Sequence, residues 1–132
     1  MTEINIFKKW EPILGLQNAM YVEGLYDDYE GFRILLKGSG ECAKMLRIKF
    51  DPPLAYRAID EGDLLAYERV NSYSNSGQWT LFVVENSSYL SWFQHTSQGI
   101  HNERAIVHYA IFTSSSCIEV LAEYEPSVDW LN

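Results

Sequence analysis

Two stretches of the chain alternate strictly between apolar and more polar positions. In Phe32–Lys37, Phe32, Ile34 and Leu36 alternate with Arg33, Leu35 and Lys37; in Lys44–Phe50, Leu46, Ile48 and Phe50 alternate with Met45, Arg47 and Lys49. A period of two belongs to a strand with one buried face. Asp27-Asp28-Tyr29-Glu30-Gly31 and Gly38-Ser39-Gly40 have the residues that tight turns demand. Met20–Tyr26, Phe32–Lys37 and Lys44–Phe50 therefore predict an antiparallel meander, with Met20, Val22 and Tyr26 on one face of its first strand. Its outer face should carry Arg33, Lys37, Arg47 and Lys49 as a solvated surface. Asp51-Pro52-Pro53 ends it, because proline cannot donate to a ladder.

The pattern changes in Gln78–Gly99, a strand followed directly by a helix. Trp79–Val84 is continuously apolar, as in a strand covered on both faces. Asn86, Ser87 and Ser88 then supply side chains that cap helices, and Gly99 supplies a stop. On a wheel of 100° per residue, Tyr89, Leu90, Trp92, Phe93 and Thr96 of Ser87–Gln98 share one arc and are expected on the sheet. Ser88, Ser91, Gln94, His95 and Gln98 take the other arc.

The remaining elements follow by the same reasoning. Ile4, Phe7, Trp10 and Leu14 recur at helical spacing, broken by Pro12 and Gly15, and predict a short N-terminal helix or arm lying on the body. Tyr56–Asp60 leads into a turn at Glu61-Gly62-Asp63. Leu64–Val70 reads as a strand and Asn71–Gly77 as a polar loop. Ala105–Phe112 and Cys117–Tyr124 read as a hairpin around Thr113–Ser116, and Trp130-Leu131 as a docking tail. The expectation is one domain over residues 1–132. It is α+β, a mostly antiparallel sheet of about six or seven strands with one main helix (about 87–98) on one face.

Composition narrows the function classes. A hydrophobic fraction of 47% is ample for a core at 132 residues. The net charge of −8 disfavours nucleic acid and anionic membrane, both of which need clustered Lys and Arg. The charge is also uneven. Residues 1–70 hold 12 acids and 9 bases, whereas residues 71–132 hold 6 acids and a single base, Arg104. A basic partner is the natural complement. Two cysteines, Cys42 and Cys117, are too few for a disulfide-stapled secreted domain, and no signal or membrane-spanning run is visible. A cytoplasmic location is expected.

Candidate chemistry is sparse. His95, His101 and His108 with Glu103 fit no ligand spacing, and they fall on a helix end, a loop and a strand. His108 alternates with Ile106 and Phe112 and reads as a hydrogen-bonded core histidine. No serine sits in a G-x-S-x-G elbow, and Gly38-Ser39-Gly40 lacks the Lys and helix of a phosphate loop. No catalytic residue, metal or cofactor is therefore assigned. A surface reading remains. The acids Glu103, Glu119, Glu123, Glu125 and Asp129 cluster in the last third, with Glu119 and Glu123 expected to share the outward face of the last hairpin. Tyr73 and Tyr29 in neighbouring loops add rigid contact area of the kind interfaces use.

Together, GFRILLKG, YRAIDEGDLLAYE, VVENSSYLSWF and HYAIFTSSSCIEVLAEYEP resemble the small single-domain bacterial immunity proteins encoded beside secreted or contact-delivered toxins. The resemblance spans most of residues 20–126 and is one of pattern, so no functional residue is carried over. It implies a cytoplasmic protein that neutralises a cognate toxin, such as a basic nuclease domain, by direct binding. Two alternatives come from the residues themselves. One is a small-molecule or enzymatic pocket between sheet and helix, using Tyr89, Trp92 or His108; the other is a homodimer through an exposed sheet edge.

Overall fold

The computed structural model describes residues 5–40, 43–60, 79–113 and 116–131. Within them lie nine strands and one α-helix, arranged as two packed antiparallel sheets. The strands are β1 (Ile6–Lys9), β2 (Met20–Asp28), β3 (Gly31–Gly38), β4 (Met45–Phe50) and β5 (Ala55–Asp60), then β6 (Leu81–Glu85), β7 (Val107–Phe112), β8 (Ser116–Ala122) and β9 (Ser127–Leu131). The helix, α1, is Ser88–Thr96. One sheet has the order β1-β6-β7-β8-β5 and the other β2-β3-β4-β9.

The mostly antiparallel, sheet-dominated α+β class stands, but the single sheet of six or seven strands does not. The meander forms, with Phe32 opposite Phe50 and Ile34 opposite Ile48. Its alternation is clean because one face alone is covered: Phe32, Ile34, Leu36, Leu46, Ile48 and Phe50 are all buried. They pack against Leu81, Tyr109, Ile111, Ile118 and Val120 of the other sheet to make the main core. In the five-stranded sheet the central strands are covered on both faces because a second cluster lies on the opposite side. That cluster comprises Phe7, Phe82, Val84, Ala110, Phe112 and Cys117.

Several local expectations change for identifiable reasons. The N-terminal arm is strand β1 and not a helix. Phe7 pairs with Val84 and is buried edge-on against Phe82 and Phe112, with ring centroids 6.0 and 5.2 Å away. Ala55–Asp60 is an edge strand on β8, and the tail Ser127–Leu131 completes the four-stranded sheet as β9. In β2 a bulge between Val22 and Gly24 inserts one residue, which reverses the facing of everything after it. Tyr26 therefore leaves the face of Met20 and Val22. It lies opposite Arg33, whose guanidinium sits 4.8 Å from its ring centroid. The expected strand at Leu64–Val70 and the loop at Asn71–Gly77 lie outside the described residues.

The topology gives the sandwich two distinct ends. The β2–β3 turn, both connections between the sheets after β4 and β8, and the segment carrying α1 lie at one end. The residues around Met20, Gly38, Lys44 and Trp130 lie at the other.

Candidate functional site

At the first end, strand pairing gathers residues remote in sequence. The β2–β3 turn places Tyr29 almost wholly in solvent, 96% exposed. Asp28 accepts from the Arg33 guanidinium at 2.8 Å, and this bond, with a backbone N–H from Glu30, holds the Asp28 carboxyl below its usual pKa. Tyr56, at the start of β5, donates to Asp27 at 3.2 Å and its ring packs on Phe32. These contacts tie the turn of one sheet to the edge of the other. Desolvation, followed by the Asp27 charge, pushes the Tyr56 hydroxyl up.

The connection from β8 to β9 enters the same end with Glu123, Tyr124 and Glu125. Glu123 is bound by Arg104 at 3.0 Å, and Tyr124 is 65% exposed. Glu125 lines a polar hollow of about 360 Å³ with Asp51, Lys49 and Ser127. The Lys49 chain also covers Gly31, where an added Cβ would stand 3.0 Å from its Cε. Among the described residues, Asp27, Asp51, Glu103 and Glu125 take part in no ion pair. The end is therefore negative even after Arg33 and Arg104 have been satisfied.

Of the surface residues read from the sequence, Tyr29, Glu123 and Glu125 meet here, and Glu103 precedes the Arg104 that binds Glu123. Asp129 lies along β9, where it is paired across the strand with Arg47 at 3.4 Å. Tyr73 falls outside the described residues. Glu119 is a correction. It is 1% exposed and does not share an outward face with Glu123, because β8 is an interior strand covered on both sides. Asp51, Tyr56 and Tyr124 join the end unannounced by sequence. Tyr124 carried a signal, lying between two acids, but the placement of Asp51 and Tyr56 depends on how the sheets stack.

Glu119 belongs to a polar chain beneath the helix. Pairing sets it opposite Arg57 of β5, whose Nη2 lies 2.7 Å from the carboxylate. On its other side His108 Nε2 is 3.3 Å away, an ion-pair distance without hydrogen-bond alignment. His108 Nδ1 lies 2.6 Å from Ser87 Oγ. Ser87 is the N-cap of α1, and its Oγ accepts from the Leu90 N–H at 2.9 Å. Ser87 Oγ thus joins the first turn of the helix to the imidazole, and its second lone pair and its proton let it serve either histidine tautomer. Burial pushes the Glu119 carboxyl up, but His108 and Arg57 outweigh it and hold it ionised below its usual range.

A serine, a histidine and a carboxylate in line are the elements of a nucleophile relay. Here their surroundings fit a clamp. His108 is 1% exposed, the hydroxyl holds the first turn of α1, and the carboxylate is already neutralised by Arg57. Asn5 reinforces the same turn by accepting from the Ser88 N–H at 2.8 Å. His108 is thus a core histidine with a defined structural role. Among the described residues, no three His, Cys, Asp or Glu side chains stand close enough to share a metal ion.

The helix is fastened to the sheet differently from its wheel. Tyr89 alone is fully buried in it, edge-on to His108 at 5.4 Å and under the Arg57 guanidinium at 4.0 Å. Trp92 stacks on the outer side of Tyr89 at 5.9 Å and stays 57% exposed. Tyr89 is thus packed between helix and sheet, where the sequence suggested a pocket as an alternative. Cys117, buried on the same sheet face, has its thiol pushed up by burial and by Glu119.

Compared with family models, curated proteins and solved structures, the chain matches none. No helix among the described residues is long and apolar enough to cross a membrane.

Proposed function

We propose that the protein is an immunity-type binding protein. It neutralises a cognate basic toxin, such as a nuclease domain, by docking the acidic, tyrosine-bearing end of its sandwich on the toxin's active surface. The observation that carries this reading is the placement of Tyr29, Asp51, Glu123, Tyr124 and Glu125, from three separate stretches of chain, at one end of the sandwich, where Asp51 and Glu125 share a polar hollow with Lys49 and Ser127. Exposed tyrosines offer rigid contact area, and unpaired carboxylates steer a cationic partner and complete its charges. A Lys or Arg side chain of the partner entering the hollow would meet Asp51 and Glu125, two carboxylates against the single ammonium of Lys49. The surplus of acid over the whole chain acts in the same direction.

Co-expression with the product of the adjacent gene tests the reading. The expected result is a 1:1 complex and protection of the host from that product's toxicity. Recovery of neither complex nor protection removes the proposal.

A further inference from the structure

The opposite end of the sandwich holds a hollow of about 290 Å³ with a different lining. Its principal wall is Trp130, whose indole N–H donates to the Leu14 carbonyl at 2.8 Å, so the ring is held in one orientation. Met20, buried at the start of β2, adds an apolar floor.

Small residues keep this space open. A Cβ at Gly15 would stand 3.7 Å from the Trp130 ring, covering the surface now free, and the φ of +88° there suits glycine. At Gly38 a Cβ would collide with the Gln17 amide; its absence lets that amide lie against the strand end within the lining. Ala43 completes the wall.

Lys44 supplies the charge. It is exposed and in no ion pair among the described residues, and Lys37 lies one residue from Gly38. A fixed ring face, an amide and an ammonium in no ion pair among the described residues, around a mostly apolar hollow, are the components of a small-ligand site. The volume, at the lower end of the roughly 300–1,000 Å³ usual for ligand pockets, suits one ring and not a cofactor.

We propose that this hollow binds a small aromatic carboxylate, its ring against Trp130 and Met20 and its carboxylate on Lys44 and the Gln17 amide. The site is independent of the acidic end. Benzoate titrated into the ¹⁵N-labelled full chain tests it, with benzyl alcohol as the uncharged match. The expected result is saturable shifts at the Trp130 indole N–H, the Gln17 amide and Gly15. Benzyl alcohol should bind about tenfold more weakly, the worth of one charge-assisted hydrogen bond. Lys44→Met should remove that difference, and Ala43→Leu should abolish saturation while the thermal midpoint stays within about 3 °C. Shifts that do not saturate, equal binding of the two probes by the unaltered protein, or unchanged binding by a folded Ala43→Leu would each overturn the proposal. If Ala43→Leu does not fold, the Lys44→Met comparison decides.

Discussion

Glu119 and Glu125 lie six residues apart on the two sides of one strand end, and their surroundings give the same carboxylate opposite tasks. In the middle of β8 the carboxylate is sealed from water, bound by Arg57 and His108, and linked through Ser87 to the first turn of α1. In the connection after β8 the carboxylate is exposed beside a polar hollow that also holds Lys49, and it takes part in no ion pair among the described residues. A buried charge has a fixed partner because desolvating it alone is prohibitive, whereas an exposed one remains available to a visitor. Acidic residues in one stretch thus divide into those that hold the fold and those that stay open to solvent.

The sharpest way to test that division is to remove each side in turn. Glu119→Ala should cost about 3 kcal/mol in urea unfolding, the lower end for breaking a buried pair, since the half-exposed Arg57 can regain water. The pH dependence has a definite sign. Glu119 has a folded pKa below its unfolded value of about 4.3, so its contribution is present above that value and is lost as pH falls through the folded pKa. The stability difference between the natural protein and Glu119→Gln should be constant near neutrality and shrink in acid. A difference that grew in acid would contradict an ionised, paired Glu119.

Ser87→Ala comes next, at about 2 kcal/mol. About half is the lost cap, and the rest is the buried His108 Nδ1 left without a partner. Smaller still is reversal of the exposed acids. Asp51→Lys with Glu125→Lys, at two exposed acids in no ion pair among the described residues, should slow association with a basic partner about tenfold at low salt. That effect should fade as salt rises, and folding stability should move by less than about 0.5 kcal/mol per site. If the reversal cost as much stability as Glu119→Ala, the two regions would not differ in kind.

Legibility in the sequence followed how local each decision was. Phe32, Ile34 and Leu36 declared their face because a period of two with turns on both sides admits one burial pattern, and the same face did form the core. Ser87 announced a helix start from composition alone. Tyr26 changes face because of the bulge before it, whose marks in the sequence are Gly24 and the out-of-phase Leu25. Strand β1 was illegible as a strand because one residue of its four is buried, and its partner β6 lies more than seventy positions away. At the acidic end, Glu123 and Glu125 could be read as a cluster. Their meeting with Tyr29 and Asp51 could not.

Alternation, turn residues and caps by themselves determined the meander, the last hairpin, the helix and the surplus of negative charge, because each depends on neighbours a few residues apart. The tertiary structure decided that the strands divide into two sheets, that Trp92 stays outside and Glu119 inside, and which loops share an end. Those outcomes depend on which surfaces cover one another. A carboxylate two residues from Leu121 faces water or the interior according to what packs above it, and here Arg57, His108 and Tyr89 arrive there from three other elements of the fold.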